Sequence, residues 1–273
     1  MLIALKALPV WPFLAYPISF NPQVATRVAQ AAAFPLLVLL LWQAAYSAKL
    51  LSPVIMPSPG MVVTAFGELW ASGDLSHHLH TSVLRVVHGF LIGALLGLGL
   101  GLVMGVSRLA EALVYPLFRA FCQVPTMAWL PLMMVLFGIG EGLKIIIITK
   151  SVMVPMCINT FEGVRGIPER YFEVARALCL SRRTLLRRLV LPAVFPPMFT
   201  GVRLGLSHAW VSLVGVELLA STEGIGYVMH WGRTIFQLEV VFVGVLIIGA
   251  VGLLMDVSMR GIEHRLGDWR KEG

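Results

Sequence analysis

The chain has 273 residues, of which 58% are hydrophobic and only 13% are charged, and its mean hydropathy is +0.86. Soluble domains carry about a quarter charged residues, so the composition excludes an ordinary water-soluble domain. The net charge of +7 comes from basic residues in short segments between apolar runs, which favours membrane topology over nucleic-acid binding. Cys122, Cys157 and Cys179 are widely spaced and predict neither a disulfide framework nor a metal site.

Apolar runs divide the chain, and several approach or reach the length of about 20 residues that crosses a bilayer as a helix. The predicted spans are residues 29–47, 89–106, 120–140, 143–159, 194–220 and 240–257. The predicted fold class is therefore all-α, a polytopic membrane bundle with six transmembrane helices inside a domain of residues 29–258. Residues 1–28 are predicted to be a cytoplasmic segment rather than a signal peptide, because prolines interrupt them, and residues 259–273 a cytoplasmic tail.

The direction of the spans follows from the distribution of Lys and Arg, which remain on the cytoplasmic side. With both ends inside, the inner loop 162–192 alone contains seven arginines. The outer segments contain only Lys49, Arg85, Lys144 and Arg233. This bias predicts that both termini lie in the cytoplasm.

The segment 50–88, between the first two spans, is too polar to cross the membrane and is predicted to face outside. A proline-rich turn at residues 57–60 precedes a helical run that ends at Leu84. His77 and His80 share a helical face there, but two ligands are too few for a metal site.

The second span contains a glycine at every fourth residue: Gly89, Gly93, Gly97, Gly101 and Gly105. Such a stripe lets another backbone approach closely. The glycine stripe has two interpretations, a moving or dimerising interface and static packing within the bundle. Static packing is favoured because small-residue stripes are common in membrane helices.

The third span contains Pro125 and Pro131. Proline removes a backbone donor and would break a soluble helix, whereas a membrane bundle can satisfy the freed carbonyls. We therefore expect a kinked or divided helix.

The inner loop 162–192 is patterned as two short amphipathic helices. Pro168 suits the first turn of the first helix, Ser181 can cap the second, and Pro192 is predicted to end it. The first helix has a narrow apolar face, formed by Tyr171, Val174, Ala175 and Leu178. One face of the second helix is apolar and the other is basic. The apolar face is formed by Leu185, Leu186, Leu189 and Val190, and the basic face by Arg183, Arg187 and Arg188. Two such helices outside the membrane indicate a docking device.

The spacing within this loop resembles the EAA loop of bacterial ABC importer permeases. Residues 173–175 stand at its Glu-Ala-Ala positions, Cys179 at its glycine, and residues 189–192 at its Ile-x-Leu-Pro. Cysteine in place of that glycine affects how tightly the chain can turn between the two helices, because glycine readily adopts left-handed backbone angles.

Further stretches are similar to the nitrate, sulfonate, taurine and bicarbonate branch of those permeases. They follow in the same order along most of the chain, at residues 56–59, 82–90, 124–132, 137–140, 201–204 and 217–219. The resemblance implies the transmembrane subunit of an ATP-driven importer that moves a small anion by alternating access. A sulfonate or taurine-like solute is the first choice, and nitrate, bicarbonate or a neutral heterocycle is the alternative.

The resemblance also implies the partners and the cell membrane in which they meet. Two ABC ATPase subunits, a second permease copy and a periplasmic or lipid-anchored substrate-binding protein would complete the transporter in the bacterial inner membrane. The chain itself would bind no cofactor and catalyse no reaction, since ATP and Mg belong to the ATPase. The residues implied in coupling are Glu173, Val174, Ala175, Arg176, Leu178, Cys179, Leu189, Leu191 and Pro192.

Ionisable residues in or beside the spans are candidates for the solute pathway, because a charge inside a membrane usually faces protein or water, and Trp129 and the prolines of the third span join them. The candidates are Arg85, Pro125, Trp129, Pro131, Lys144, His208 and Glu217. Lys150 and Arg203 also fall within spans, and Arg203 or Glu217 could instead reach toward an interface.

Two other classes of function are weighed against transport. An intramembrane enzyme is disfavoured because the sequence lacks His-Glu-x-x-His, Gly-x-Ser-x-Gly and a paired-aspartate motif, and it has no P-loop. A channel would explain the spans but would not explain the two-helix loop.

Overall fold

The computed structural model of the protein describes residues 22–50, 52 and 55–267. Within these residues all regular secondary structure is helical, as predicted. The chain divides into two compact units, Met1–Pro53 and Val54–Gly273. Of the predicted cytoplasmic segment 1–28, residues 1–21 lie outside the described residues.

The first unit contains α1, Pro22–Ser47. The second unit contains α2 Pro59–Ala71, α3 Asp74–Val106, α4 Arg108–Gln123, α5 Leu130–Phe137, α6 Glu141–Arg165, α7 Glu169–Ala177, α8 Arg182–Leu185, α9 Leu191–Ala220, α10 Ile225–Thr234 and α11 Leu238–Gly267. A 3-10 turn, Thr126–Trp129, stands between α4 and α5, and a π-helical turn, Leu186–Val190, joins α8 to α9.

Each predicted span corresponds to helical structure. Three helices are long and apolar enough to cross a membrane, namely α3, the continuous run Arg183–Ala220, and the part of α11 at Leu238–Glu263. The bent pair of α4 and Thr126–Phe137 makes a fourth if it is one span. An all-α bundle with membrane-spanning helices is thus confirmed, and the total of six spans stays a prediction.

The third predicted span is divided, as its prolines indicate. It begins at Arg108, and its two parts meet at an angle of 90°. Pro125 precedes the 3-10 turn, and Pro131 stands in the first turn of α5, where a missing N–H breaks no helical hydrogen bond.

The prediction of an outer helix ending at Leu84 is wrong. The break lies earlier, at Gly73, whose φ of 84° is left-handed, and α3 then runs without interruption from Asp74 to Val106. Neither glycine nor proline occurs between residues 74 and 88, so nothing in the sequence stops the helix there.

The helix α6 packs between α3 and α9 and forms the centre of the second unit. The glycine stripe of α3 lies directly on α6. A Cβ placed at Gly97 would be 2.6 Å from the carbonyl oxygen of Met153, and one at Gly101 would be 2.6 Å from that of Cys157. The structure therefore supports static packing within the bundle, the favoured interpretation of this stripe.

The prediction that Pro192 ends the second loop helix is also wrong, because the helix continues from Arg183 to Ala220. Pro192 stands in the first turn of α9, directly after the π-helical turn. Proline crowds the carbonyl four residues before it, and the wider π turn gives the backbone room at that point.

Candidate functional site

A cluster of charged side chains joins α3, α6 and α9 near the start of α6 and the end of α9. We call it the outer cluster, and its members are Ser82, Arg85, Glu141, Lys144, Glu217 and Glu223. The Arg85 guanidinium is 3% exposed. Its Nε and Nη2 each donate to a different oxygen of Glu141 at 2.7 Å, and its Nη1 donates to Glu217 Oε1 at 2.7 Å. One arginine thus binds two carboxylates on two different helices.

The Glu217 carboxylate is fully enclosed and fully bonded. It accepts hydrogen bonds from Arg85, from the Ser82 hydroxyl at 2.9 Å, and from the backbone N–H of Gly226 at 3.0 Å. Gly224, with φ of 105°, passes so close to the carboxylate that any Cβ there would overlap it. Glu217 is therefore a buried partner of Arg85 and does not reach toward an interface.

Lys144 belongs to the same cluster through Glu141, because its Nζ donates to Glu141 Oε1 at 2.6 Å. Glu141 is the first residue of α6, before the apolar part of that helix, and its side chain is 57% exposed. Hydrogen bonding from Arg85, together with that from Lys144, lowers the pKa of Glu141 to about 2. The carboxylate is therefore ionised throughout the neutral range.

The outer cluster ties three helices together by pairing both of its positive charges with carboxylates. Arg85 and Lys144 are satisfied by Glu141 and Glu217, so in this conformation neither presents an unpaired positive charge to an anion. The Glu223 carbonyl also accepts from Arg85, at 2.8 Å. The arrangement is suited to holding helices in register.

The other predicted pathway residues do not join this cluster. Pro125, Trp129 and Pro131 lie at the break between α4 and α5, beside Lys150. His208 is on an exposed part of α9.

The inner loop presents apolar side chains to the outside of the chain. In α7 and at its C-cap, Tyr171, Val174 and Leu178 are 46%, 58% and 65% exposed, and we call these three residues the coupling surface. Ala175 lies on the other side, 7% exposed, so the structure separates it from the predicted apolar face. Glu173 is exposed, and Arg176 pairs with Glu169 at 2.7 Å.

The helix that carries the coupling surface packs against the bundle through its opposite face. Phe172, on the opposite side of α7, packs against a core cluster of Val164, Ile167, Val190 and Val194. Leu185, Leu186 and Leu189 of the second helical segment pack on the same cluster. The apolar face of that segment is thus used within the chain, while Leu191 is 39% exposed and Pro192 is exposed.

The turn after α7 has the backbone that the glycine position indicates. Cys179 has φ of 49°, in the left-handed region. The N–H of Leu180 donates to the carbonyl of Ala175 at 3.0 Å, and that of Cys179 donates to Arg176 at 3.0 Å, which is the Schellman pattern. Glycine adopts these angles without penalty, so Cys179 keeps the same turn at an energetic cost.

The sequence did not identify Glu141 or Ser82 as site residues. Glu141 follows Gly138 and Gly140, a run that resembles a phosphate loop only by its glycines. The available signal was a carboxylate directly before an apolar span, with Arg85 predicted on the same side of the membrane.

Known proteins share this fold and this sequence pattern. The family model described as "Binding-protein-dependent transport system inner membrane component" matches residues 89–268. SsuC of Bacillus subtilis, named for aliphatic sulfonates transport, is 37% identical over 236 residues, which cover 86% of each chain. The taurine transport system permease protein TauC of Escherichia coli is 30% identical over 239 residues, covering 86% of this chain and 87% of TauC.

A solved structure adds support for the fold. A chain from the inward-facing MetNI methionine ABC transporter matches with a TM-score of 0.62 and 17% identity, over 71% of this chain and 97% of that one. At this identity the likeness concerns the fold alone.

Proposed function

Because the chain belongs to the family of binding-protein-dependent transport system inner membrane components and is a multi-pass membrane subunit of an ABC importer, we propose that it imports a small aliphatic sulfonate. A separate ATPase drives the transport, and the coupling surface on α7 is where that ATPase binds. The chain is a transport component rather than a catalyst.

The coupling surface is the observation that carries the ATPase-binding part of this proposal. Apolar side chains exposed on a helix beyond the membrane cost free energy in water, and burying them against a partner recovers about 25 cal/mol per Å². Because Phe172 anchors the back of α7 to the cores of α6 and α9, a movement of the partner reaches those helices directly.

The choice of solute rests on the relatives, since the named solutes of SsuC and TauC are both sulfonates. Nitrate and bicarbonate share the negative charge and remain the alternatives within the same machinery. The proposed assembly contains two ATPase subunits, a second permease copy and a substrate-binding protein outside the membrane. Both termini face the cytoplasm, as the distribution of Lys and Arg indicates. ATP and Mg bind to the ATPase.

Val174→Glu tests the binding of the ATPase. Val174 is 58% exposed, so a carboxylate there leaves the bundle folded but opposes an apolar contact. We expect the tagged variant to lose the ATPase during co-purification and to lose ATP-dependent uptake of ethanesulfonate in proteoliposomes that contain the binding protein. Val174→Leu, which keeps the surface apolar, is the matched control and should retain both. Full ATPase binding by Val174→Glu, or export instead of uptake, would refute the proposal.

A further inference from the structure

The divided helix encloses a positive charge that the outer cluster does not include. Lys150, near the middle of α6, is 9% exposed. Its Nζ donates to the carbonyl oxygen of Val124 at 3.1 Å and contacts the Thr126 hydroxyl at 3.4 Å. Both partners lie at the break between α4 and α5.

Lys150 differs from the other buried cations in having no acidic partner. Arg85 and Lys144 are paired with carboxylates at 2.6 to 2.7 Å. Among residues 22–50, 52 and 55–267, no Asp or Glu forms an ion pair with Lys150. A buried charge without a counter-charge is costly, so an anion bound beside Lys150 would lower that cost.

Aromatic rings surround this ammonium group. Nζ lies 4.8 Å from the ring centre of Phe121 and 5.7 Å from that of Trp129. The indole N–H of Trp129 is buried, and the described part of the chain provides no hydrogen-bond acceptor for it. Two kinds of unused donor therefore lie close together, the indole N–H and the remaining ammonium hydrogen of Lys150.

The position of these donors also favours a ligand. Non-helical backbone at membrane depth is tolerated where it is enclosed in protein or borders a water-filled path, and transporters often bind their solutes at discontinuous helices. The 90° break at residues 124–125 is such a discontinuity.

We propose that Lys150 and the Trp129 indole N–H form a binding subsite for the negatively charged group of the transported solute. A sulfonate offers three acceptor oxygens, enough for both donors, and the Phe121 ring suits its short apolar stem. This inference rests on the proposed function. It makes Lys150, beside the break, the residue that recognises the negative charge of the solute.

The experiment compares an anion with a neutral compound of nearly the same shape. Equilibrium binding of radiolabelled ethanesulfonate and ethanesulfonamide is measured on the purified complex of the full chain with its ATPase. Lys150→Met should weaken ethanesulfonate binding by at least about tenfold, the factor for 1.4 kcal/mol, and change ethanesulfonamide binding less than about twofold. Lys150→Arg, which keeps the charge, should retain the preference for the anion. Lys49→Met removes an exposed lysine and should change neither.

The outcomes separate the subsite from the proposed function. If the wild-type complex shows no ATP-driven ethanesulfonate uptake, the proposed function fails and the subsite with it. If uptake occurs but the wild type binds both compounds equally, or Lys150→Met weakens both equally or neither, Lys150 only satisfies the Val124 carbonyl and the subsite is refuted. Should Lys150→Met fail to fold, Trp129→Phe decides, since it removes the indole N–H while keeping an aromatic ring and must weaken binding of the anion selectively.

Discussion

The outer cluster and the coupling surface lie at opposite ends of α6 and α9, and they differ in the burial and the polarity of their side chains. In the outer cluster, Arg85 and Glu217 are buried and their charges are satisfied within the chain. On the coupling surface, Val174 and Leu178 are apolar and exposed, although Phe172 fixes their helix from behind. The first region is complete in this chain alone, whereas for the second we propose that the ATPase completes it. Substitutions in the two regions should therefore affect different measurements.

The largest effect on stability is expected from Glu217→Ala. It leaves the Arg85 guanidinium buried with Glu141 as its remaining carboxylate at hydrogen-bond distance, and breaking a buried pair costs about 3–5 kcal/mol. The free energy of unfolding in detergent should fall by that amount, while the ATPase still binds to the molecules that remain folded.

A double substitution is the matched control for that result. Arg85→Met with Glu217→Leu removes both charges and should recover most of the lost stability, because apolar side chains of similar volume can replace a buried pair. If Glu217→Ala alone proves as stable as the wild type, the outer cluster is not what holds α3 to α9.

A smaller effect is expected in α3, which runs from the outer cluster to the opposite end of the bundle. Gly97→Ala places a methyl group against the backbone of α6, where overpacking costs about 1–3 kcal/mol. Gly99→Ala, two residues away, meets no atom within 4 Å and should be neutral or slightly stabilising, because alanine favours helix. Thermal unfolding of the two variants in detergent compares them. Equal losses would show that the stripe is not closely packed against α6.

The smallest effect is expected at the turn behind the coupling surface. Cys179→Gly should raise the free energy of unfolding by about 1 kcal/mol, because glycine adopts a φ of 49° without strain. Cys179→Ala keeps the penalty and should leave stability close to that of the wild type. A destabilised glycine variant would show that the turn is not left-handed in the protein.

The sequence predicted what depends on neighbouring residues and missed what depends on distant ones. The divided third span followed from Pro125 and Pro131, whereas the cysteine at the glycine position of the motif left the form of the turn after α7 open. The pairing of Arg85 with Glu217 joins residues 132 positions apart, and no local pattern reports it. Pro192 misled because the rule that proline ends a helix ignores a preceding π turn, which adapts the backbone.

Labelling of Cys179 tests the central claim most directly, because this cysteine is exposed beside the coupling surface whereas Cys122 is half-buried and Cys157 is buried. A membrane-impermeant maleimide is applied to intact cells and to inverted membrane vesicles, with and without the ATPase. We predict labelling at Cys179 only in inverted vesicles, and strong protection when the ATPase is bound. Labelling from outside intact cells, or equal labelling with and without the ATPase, would contradict a cytoplasmic docking helix on α7.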